Sequence, residues 1–204
     1  ETHYQEEQGI EDTADIFYED TMKGGHDIND PALVRILVDN SNDSIDWLDT
    51  IDAHLSNVGF AGGATNARSH RPVDENDKII SVGPYLVEKL LAKADEMDNI
   101  TIIYNARVKE IMMADGGVAG GVKADTEDGE LTVNAPAVVV ASGGFGGSDE
   151  MITKYRPDLQ GYISTNAPTI EGDAIVFLEA IGADFVDMDQ VQTHPTVVQA
   201  DGSL

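Results

Sequence analysis

The run Ala137 to Gly147, A-V-V-V-A-S-G-G-F-G-G, constrains the fold most. Val138, Val139 and Val140 are β-branched and show no polar alternation, the pattern of a parallel strand covered on both faces. Pro136 suits the first position of such a strand. Ser142, Gly143 and Gly144 then remove side-chain bulk, so a ligand can lie against the backbone. Ser148, Asp149 and Glu150 predict the start of a helix. In open α/β sheets, ligands sit beyond the carboxyl ends of the strands. The run is therefore a candidate site for a flat or phosphate-bearing ligand. The alternative is a tight strand-to-helix turn with no ligand.

Charge narrows the function classes. Twelve Lys and Arg face 38 Asp and Glu, for a formal net charge of -26. A field of that sign repels nucleic-acid phosphates and anionic lipid surfaces. An anionic ligand would need a local reversal, and Arg68, His70 and Arg71 form the densest basic group. With no cysteine, disulfides, thiolate metal sites and a Cys nucleophile are excluded. The five histidines fall in no metal-ligand spacing, so no metal site is expected. No apolar run of membrane-spanning length and no leader pattern occur.

Read in order, Ile10 to Met22 predicts a helix stopped by Gly24-Gly25. Asp30 can cap a second helical region that opens on Pro31, with a break near Asn40 to Asn42. Trp47 is expected in the core. Leu55 to Arg71 reads as an irregular glycine-rich segment, and Pro72 to Lys78 as a polar loop. Gly83 to Met97 predicts a helix with Leu86, Leu90, Leu91 and Ala94 on one face. Asn99 to Tyr104 predicts a strand. Arg107 to Met113, Val118 to Ala124 and Glu130 to Val133 predict an antiparallel meander with glycine turns. Beyond the opening run, Asp149 to Tyr155 and Ala174 to Ile181 predict helices, and Ala183 to Met188 a strand. The class is α/β with α+β elements and a partly parallel sheet.

Two further positions are candidates. Gly172-Asp173 opens a helix: Asp173 either caps it or accepts hydrogen bonds from ligand hydroxyls, with Gly172 allowing close approach. His194 is held extended by Pro195, as a structural or a substrate-binding residue.

Together these pieces resemble the FAD-dependent fumarate reductase flavoproteins of the flavocytochrome c type, a family that includes urocanate and other 2-enoate reductases. The resemblance rests on Asp20-Thr-Met-Lys-Gly-Gly25, Ile28-Asn-Asp-Pro31, Asp43-Ser-Ile-Asp-Trp-Leu48 and Arg68-Ser-His-Arg-Pro72. Ala141-Ser-Gly-Gly-Phe145, Ser164-Thr-Asn166, Glu171-Gly-Asp173 and Gln192-Thr-His-Pro-Thr196 follow in the family's order.

The resemblance implies FAD as cofactor and a two-dinucleotide-binding-domain flavoprotein fold with a β-meander insertion. It implies residues 1–189 as the middle of the FAD-binding domain and 190–204 as the beginning of a capping domain. The Val108 backbone would contact the adenine. Ala141, Ser142, Gly143 and Gly144 would lie along the cofactor. Gly172 and Asp173 would bind FAD, and His194 would hydrogen-bond the substrate carboxylate. Hydride would pass from flavin N5 to the alkene, with fumarate the first substrate expected.

The family's G-x-G-x-x-G turn is expected before Glu1 and its proton-donating arginine after Leu204. The chain is thus expected to be an internal fragment, inactive alone, with no catalytic residue of its own. Electrons would come from a haem domain, a covalent FMN domain or a partner outside this chain. Ser142 replaces the commoner Thr and keeps the hydroxyl, and Ala174 replaces a common Gly. Ala61 stands where a bulkier Met is usual, and the loop Val73 to Ile80 replaces a shorter one. The last two changes weigh against fumarate and leave a larger enoate, such as urocanate, as the next candidate. A reading of another class is a non-catalytic acidic binding module. Compartment stays open between cytoplasm and cell envelope of a bacterium.

Overall fold

Short polar residues just ahead of apolar stretches set most helix starts. The protein is seen in a computed structural model that describes residues 1–194. It divides into two compact units, Glu1–Thr101 and Ile102–Leu204. In the first unit, helix α1 (His3–Glu7) opens on a capping box between Thr2 and Gln5. Thr13 caps α2 (Ala14–Gly24) by accepting from the Ile16 N–H. Asp30 accepts from the Ala32 and Leu33 N–H groups at the start of α3 (Pro31–Asp39), and Pro31 occupies the first turn as expected. The predicted break appears at Asn40, and α4 (Ser41–Asp49) follows. Strands β1 (Asn57–Gly59) and β2 (Ser69–Arg71) pair antiparallel, so the expected irregular segment contains a short ribbon. Helix α5 spans Val82–Asp95.

This unit is tied together by Arg68. Its Nε and Nη2 donate to the two oxygens of Asp12 at 2.8 and 3.0 Å, and Nη1 donates to Asp20 at 2.8 Å. Only 9% of the Arg68 side chain is exposed, against 7% and 14% for its two partners, so in this triad Asp12 is buried and the other two are largely covered. Asn66 and the Thr13 N–H also donate to Asp12, and the Thr65 N–H and hydroxyl donate to Asp20. The guanidinium lies over the Phe17 ring, 4.7 Å from its centroid. Burial works against the Asp12 charge, yet the donors from Arg68 and Asn66 outweigh it and hold the carboxyl below its ordinary range. Asp20 is held low chiefly by the Thr65 N–H.

The second unit is built on the predicted meander: β3 (Arg107–Ala114), β4 (Val118–Thr126) and β5 (Gly129–Asn134), all antiparallel. Ser148 caps α6 (Asp149–Tyr155), and α7 spans Asp173–Ala180. Helix α7 packs on the meander through Ile111, Ala174 and Phe177, with Val108, Val122, Val138 and Val140 around them. Apolar burial of this kind contributes about 25 cal/mol per Å².

Three expected strands are absent. Residues 99–104, 137–142 and 183–188 are not in strands, and every strand pair among the described residues is antiparallel. Val138 and Val140 are half-buried while Val139 is 90% exposed, so the run is covered on one face and not on two. Valine-rich sequence favours an extended backbone, but a strand exists only where a neighbour supplies the ladder, and no described strand pairs with this run. Trp47, expected in the core, is 54% exposed, and α5 has no buried residue. Among the described residues, no helix is long and apolar enough to cross a membrane.

Replacing Arg68 leaves the buried Asp12 and the partly buried Asp20 without their cation. Arg68→Ala is expected to cost about 3–5 kcal/mol in urea unfolding. A cost below about 1 kcal/mol would mean that the triad behaves as a screened surface pair. Because both carboxyls are depressed in the folded state, their stabilisation is full above the unfolded carboxylate range, about pH 4. It is lost as pH falls below that through the folded values.

Candidate functional site

The segment after Val140 owes its course to packing against residues 166–172. The Gly147 N–H donates to the Ile170 carbonyl at 2.8 Å. A Cβ on Gly146 would run into the Asn166 side chain, and one on Gly147 would come within 2.9 Å of the Ala167 and Ile170 carbonyls. Gly147 is needed for close backbone packing, whereas Gly146 faces only the end of the Asn166 side chain. Gly143 has φ +77°, where a side chain is strained, and its Cβ would sit 3.3 Å from Ile170. Gly144 differs: nothing lies within 4 Å of the Cβ position, and it and Ala141, Ser142 and Gly143 are exposed. The stretch is thus an open ledge of small residues with its backbone accessible, a shape that fits a flat ligand.

The other end of the site comes from the β3–α7 contact. Val108, in the first part of β3, packs on the core that includes Ala174. Gly172, the residue before α7, is left-handed at φ 83°, and a Cβ there would lie 2.8 Å from that of Phe145. Asp173 makes no capping bond. Its two oxygens instead accept from Nε and Nη2 of Arg107, each at 2.7 Å, and Glu171 accepts from the same Nη2 at 2.7 Å. The Arg107 guanidinium is held above its ordinary range by Asp173 first and Glu171 second. The alternative of Asp173 as a plain helix cap is therefore not what the fold shows. Residues 65 positions apart in sequence, Val108 and Asp173, are brought to one place.

A cavity of about 320 Å³ joins two other expected motifs. Ser164, Thr165 and Asn166 line it together with Gln192, Thr193 and His194, against an apolar wall that includes Ile152 and Tyr162. The rest of the Gln192-Thr-His-Pro-Thr196 motif, from Pro195 on, lies outside the described residues.

Two of the three members of the basic group of the first unit are engaged inside it. Arg68 is spent on Asp12 and Asp20. His70 donates from Nδ1 to the Arg68 carbonyl at 2.9 Å, which leaves Nε2, 2.8 Å from Thr2 Oγ1, to accept from that hydroxyl. Burial pushes its pKa down, which favours the neutral ring. The half-buried Arg71 lies against Gly59. Separately, His3 on α1 and Asp46 and Asp49 on α4 bring donor atoms within 4.8 Å of one another. No linear spacing could reveal this group, because it is assembled from two helices. Exposed carboxylates of this kind do not by themselves assign a metal. His54 is pushed the other way from His70, raised by its hydrogen bond to Asp49 at 2.7 Å and by Asp52.

Comparison with known proteins bears on the family of the chain. The FAD binding domain family matches residues 2–203. NADH:fumarate oxidoreductase of Klebsiella pneumoniae (strain 342) is 38% identical over 199 residues, covering 98% of this chain and 21% of that protein. Urocanate reductase of Eggerthella lenta is 32% identical over 212 residues, covering 98% and 33%. The open conformation of a flavocytochrome c3 fumarate reductase superimposes with a TM-score of 0.92 at 36% identity, over 100% of this chain and 36% of that one. The chain thus spans between a fifth and about a third of these relatives.

Two measurements check the site's physical reading. In an NMR titration, His70 is expected to protonate below the ordinary histidine value of about 6.5 and His54 above it. The reverse order would contradict both environments. Gly144→Ala is expected to leave unfolding stability within about 0.5 kcal/mol, whereas Gly147→Ala costs about 1–3 kcal/mol. Equal costs would remove the distinction between open ledge and packed turn.

Proposed function

The chain belongs to the FAD binding domain family, and from this premise we propose that it forms part of a FAD-dependent oxidoreductase that reduces the C=C bond of an unsaturated carboxylate. Fumarate is the first substrate proposed, and urocanate or a related acrylate the second. The single observation carrying the reading is the cavity that brings Ser164, Thr165 and Asn166 together with His194. It pairs hydrogen-bonding groups suited to a carboxylate with an apolar wall suited to the hydrocarbon part.

When bound, FAD supplies hydride transfer at N5 of its flavin ring. The roles of this chain's residues are to bind and orient. Ala141, Ser142, Gly143 and Gly144 offer the ledge along which the cofactor lies. The Val108 backbone meets the adenine, and Asp173, reached past Gly172, accepts hydrogen bonds from cofactor hydroxyls. His194 donates an N–H to the substrate carboxylate, so that the double bond is held polarised and in line for hydride transfer. Residues 1–189 are proposed as the middle of the FAD-binding domain and 190–204 as the beginning of a capping domain. Electrons are proposed to arrive from a donor domain or protein outside this chain.

Viologen-coupled reduction over a panel of enoates tests the substrate. Turnover of fumarate, or of urocanate in its place, is expected from the holoenzyme. A protein without visible flavin absorbance, and without turnover of any enoate, would return the chain to the class of non-catalytic acidic binding modules. His194→Ala is expected to raise KM for the enoate by about tenfold or more, with flavin content unchanged. An unaltered KM would make His194 structural.

A further inference from the structure

We propose that Arg107 is a positioning residue for the cofactor, acting through Asp173. The proposal rests on the reading of Asp173 as a FAD ligand and adds a residue that this reading does not supply. The expectation at this end of the site concerned the Val108 backbone and the Asp173 carboxylate, and left the side chain between them without a role.

The geometry gives Arg107 one. It sits at the first position of β3, opposite Asp125 in the β4 register. It does not pair with Asp125, which takes Lys109 instead, and Lys109 also pairs with Glu130. Arg107 turns toward α7 and grips Asp173 in two-point fashion, with Nε and Nη2 each 2.7 Å from a different carboxylate oxygen. A planar guanidinium matched to a carboxylate in this way fixes the orientation of both groups. Lysine, a point charge, would fix the distance but not the plane.

Two consequences bear on a cofactor. Each Asp173 oxygen keeps acceptor capacity after taking one bond from Arg107, and the clamp decides where that capacity points. A ligand hydroxyl then meets an acceptor already oriented, with less ordering to be done on binding. The second consequence is electrostatic. Glu171 and Asp173 place two carboxylates beside the start of α7 in a chain of formal net charge -26. A pyrophosphate-bearing ligand approaching that pair would be repelled. Arg107 offsets the pair through one shared guanidinium, so the acceptor can be kept without the full cost of its charge. The same bonds tie the first residue of β3 to the first residue of α7, which are the neighbours of the two proposed contact points, Val108 and Gly172.

A double-mutant cycle on FAD affinity tests this. The full-length flavoprotein is stripped and rebuilt with FAD, and binding is followed by flavin fluorescence for Arg107→Ala, Asp173→Ala and the pair. Arg107→Ala is expected to weaken FAD binding about three- to tenfold, and to have little further effect once Asp173 is alanine. Arg107→Lys is expected to recover part of the loss. Glu171→Gln, which leaves the two-point pair intact, is expected to stay within about twofold of the parent. The apo protein's melting temperature is followed in each variant, and in Arg107→Gln should the alanine variant fail to fold.

Strict additivity of the two alanine changes would overturn the proposal, because Arg107 would then act independently of Asp173. A tightening in Glu171→Gln as large as the weakening in Arg107→Ala would also overturn it, in favour of a general charge effect. If Asp173→Ala itself leaves FAD affinity unchanged, the reading of Asp173 as a ligand fails first and the proposal falls with it. If Asp173→Ala weakens binding and Arg107→Ala does not, only the present proposal fails.

Discussion

The candidate site depends on the packing of α7 against β3. Ile111 on the strand and Ala174 and Phe177 on the helix form the buried centre of that contact. An alanine at 174 keeps the start of the helix close to the sheet. Everything proposed for the nucleotide end of the cofactor follows from this approach. Val108 is carried in by β3, Gly172 and Asp173 by the start of α7, and Val138 and Val140 lead the small-residue ledge away from the same core. The apolar contact brings the elements together, and the Arg107 pair sets the angle of the Asp173 carboxylate.

The first unit uses its scarce cations in a different way. With so few bases against so many acids, a clustered arginine and histidine would be expected to greet an anionic ligand. Arg68 instead goes inward to hold Asp12 and Asp20, and His70 is pushed toward neutrality by burial. The Arg68-Ser-His-Arg-Pro72 motif, which helps to mark the family, is in this structure an internal brace. Its buried charges are satisfied by backbone and side-chain donors together, which is the condition under which buried ion pairs persist.

How much of this was legible in the sequence differs by kind of signal. Helix starts were legible where a cap, a local event, was read: Asp30-Pro31 and Ser148 each announce the helix that follows, whereas the helix expected from Ile10 begins only at Ala14, behind Thr13. The meander was legible for the same reason, through its glycine turns. The strands expected at 99–104, 137–142 and 183–188 were not realised, since pairing depends on a neighbour and not on propensity. Trp47 and the leucines of α5 show the same limit: apolar character predicts burial only where something covers it. Gly143 and Gly144 looked equivalent in sequence, yet one is strained without glycine and the other is open. The Arg107–Asp173 pair could not be read at all, because its members lie on separate elements and only the fold joins them.

The central claim is that FAD lies along the ledge and against the β3–α7 contact. Hydrogen–deuterium exchange of the full-length flavoprotein, with and without FAD, measures this most directly. The account predicts slower exchange on FAD binding at residues 107–108, 141–144 and 171–173. Cofactor-dependent protection that leaves all three of these stretches unchanged would contradict it.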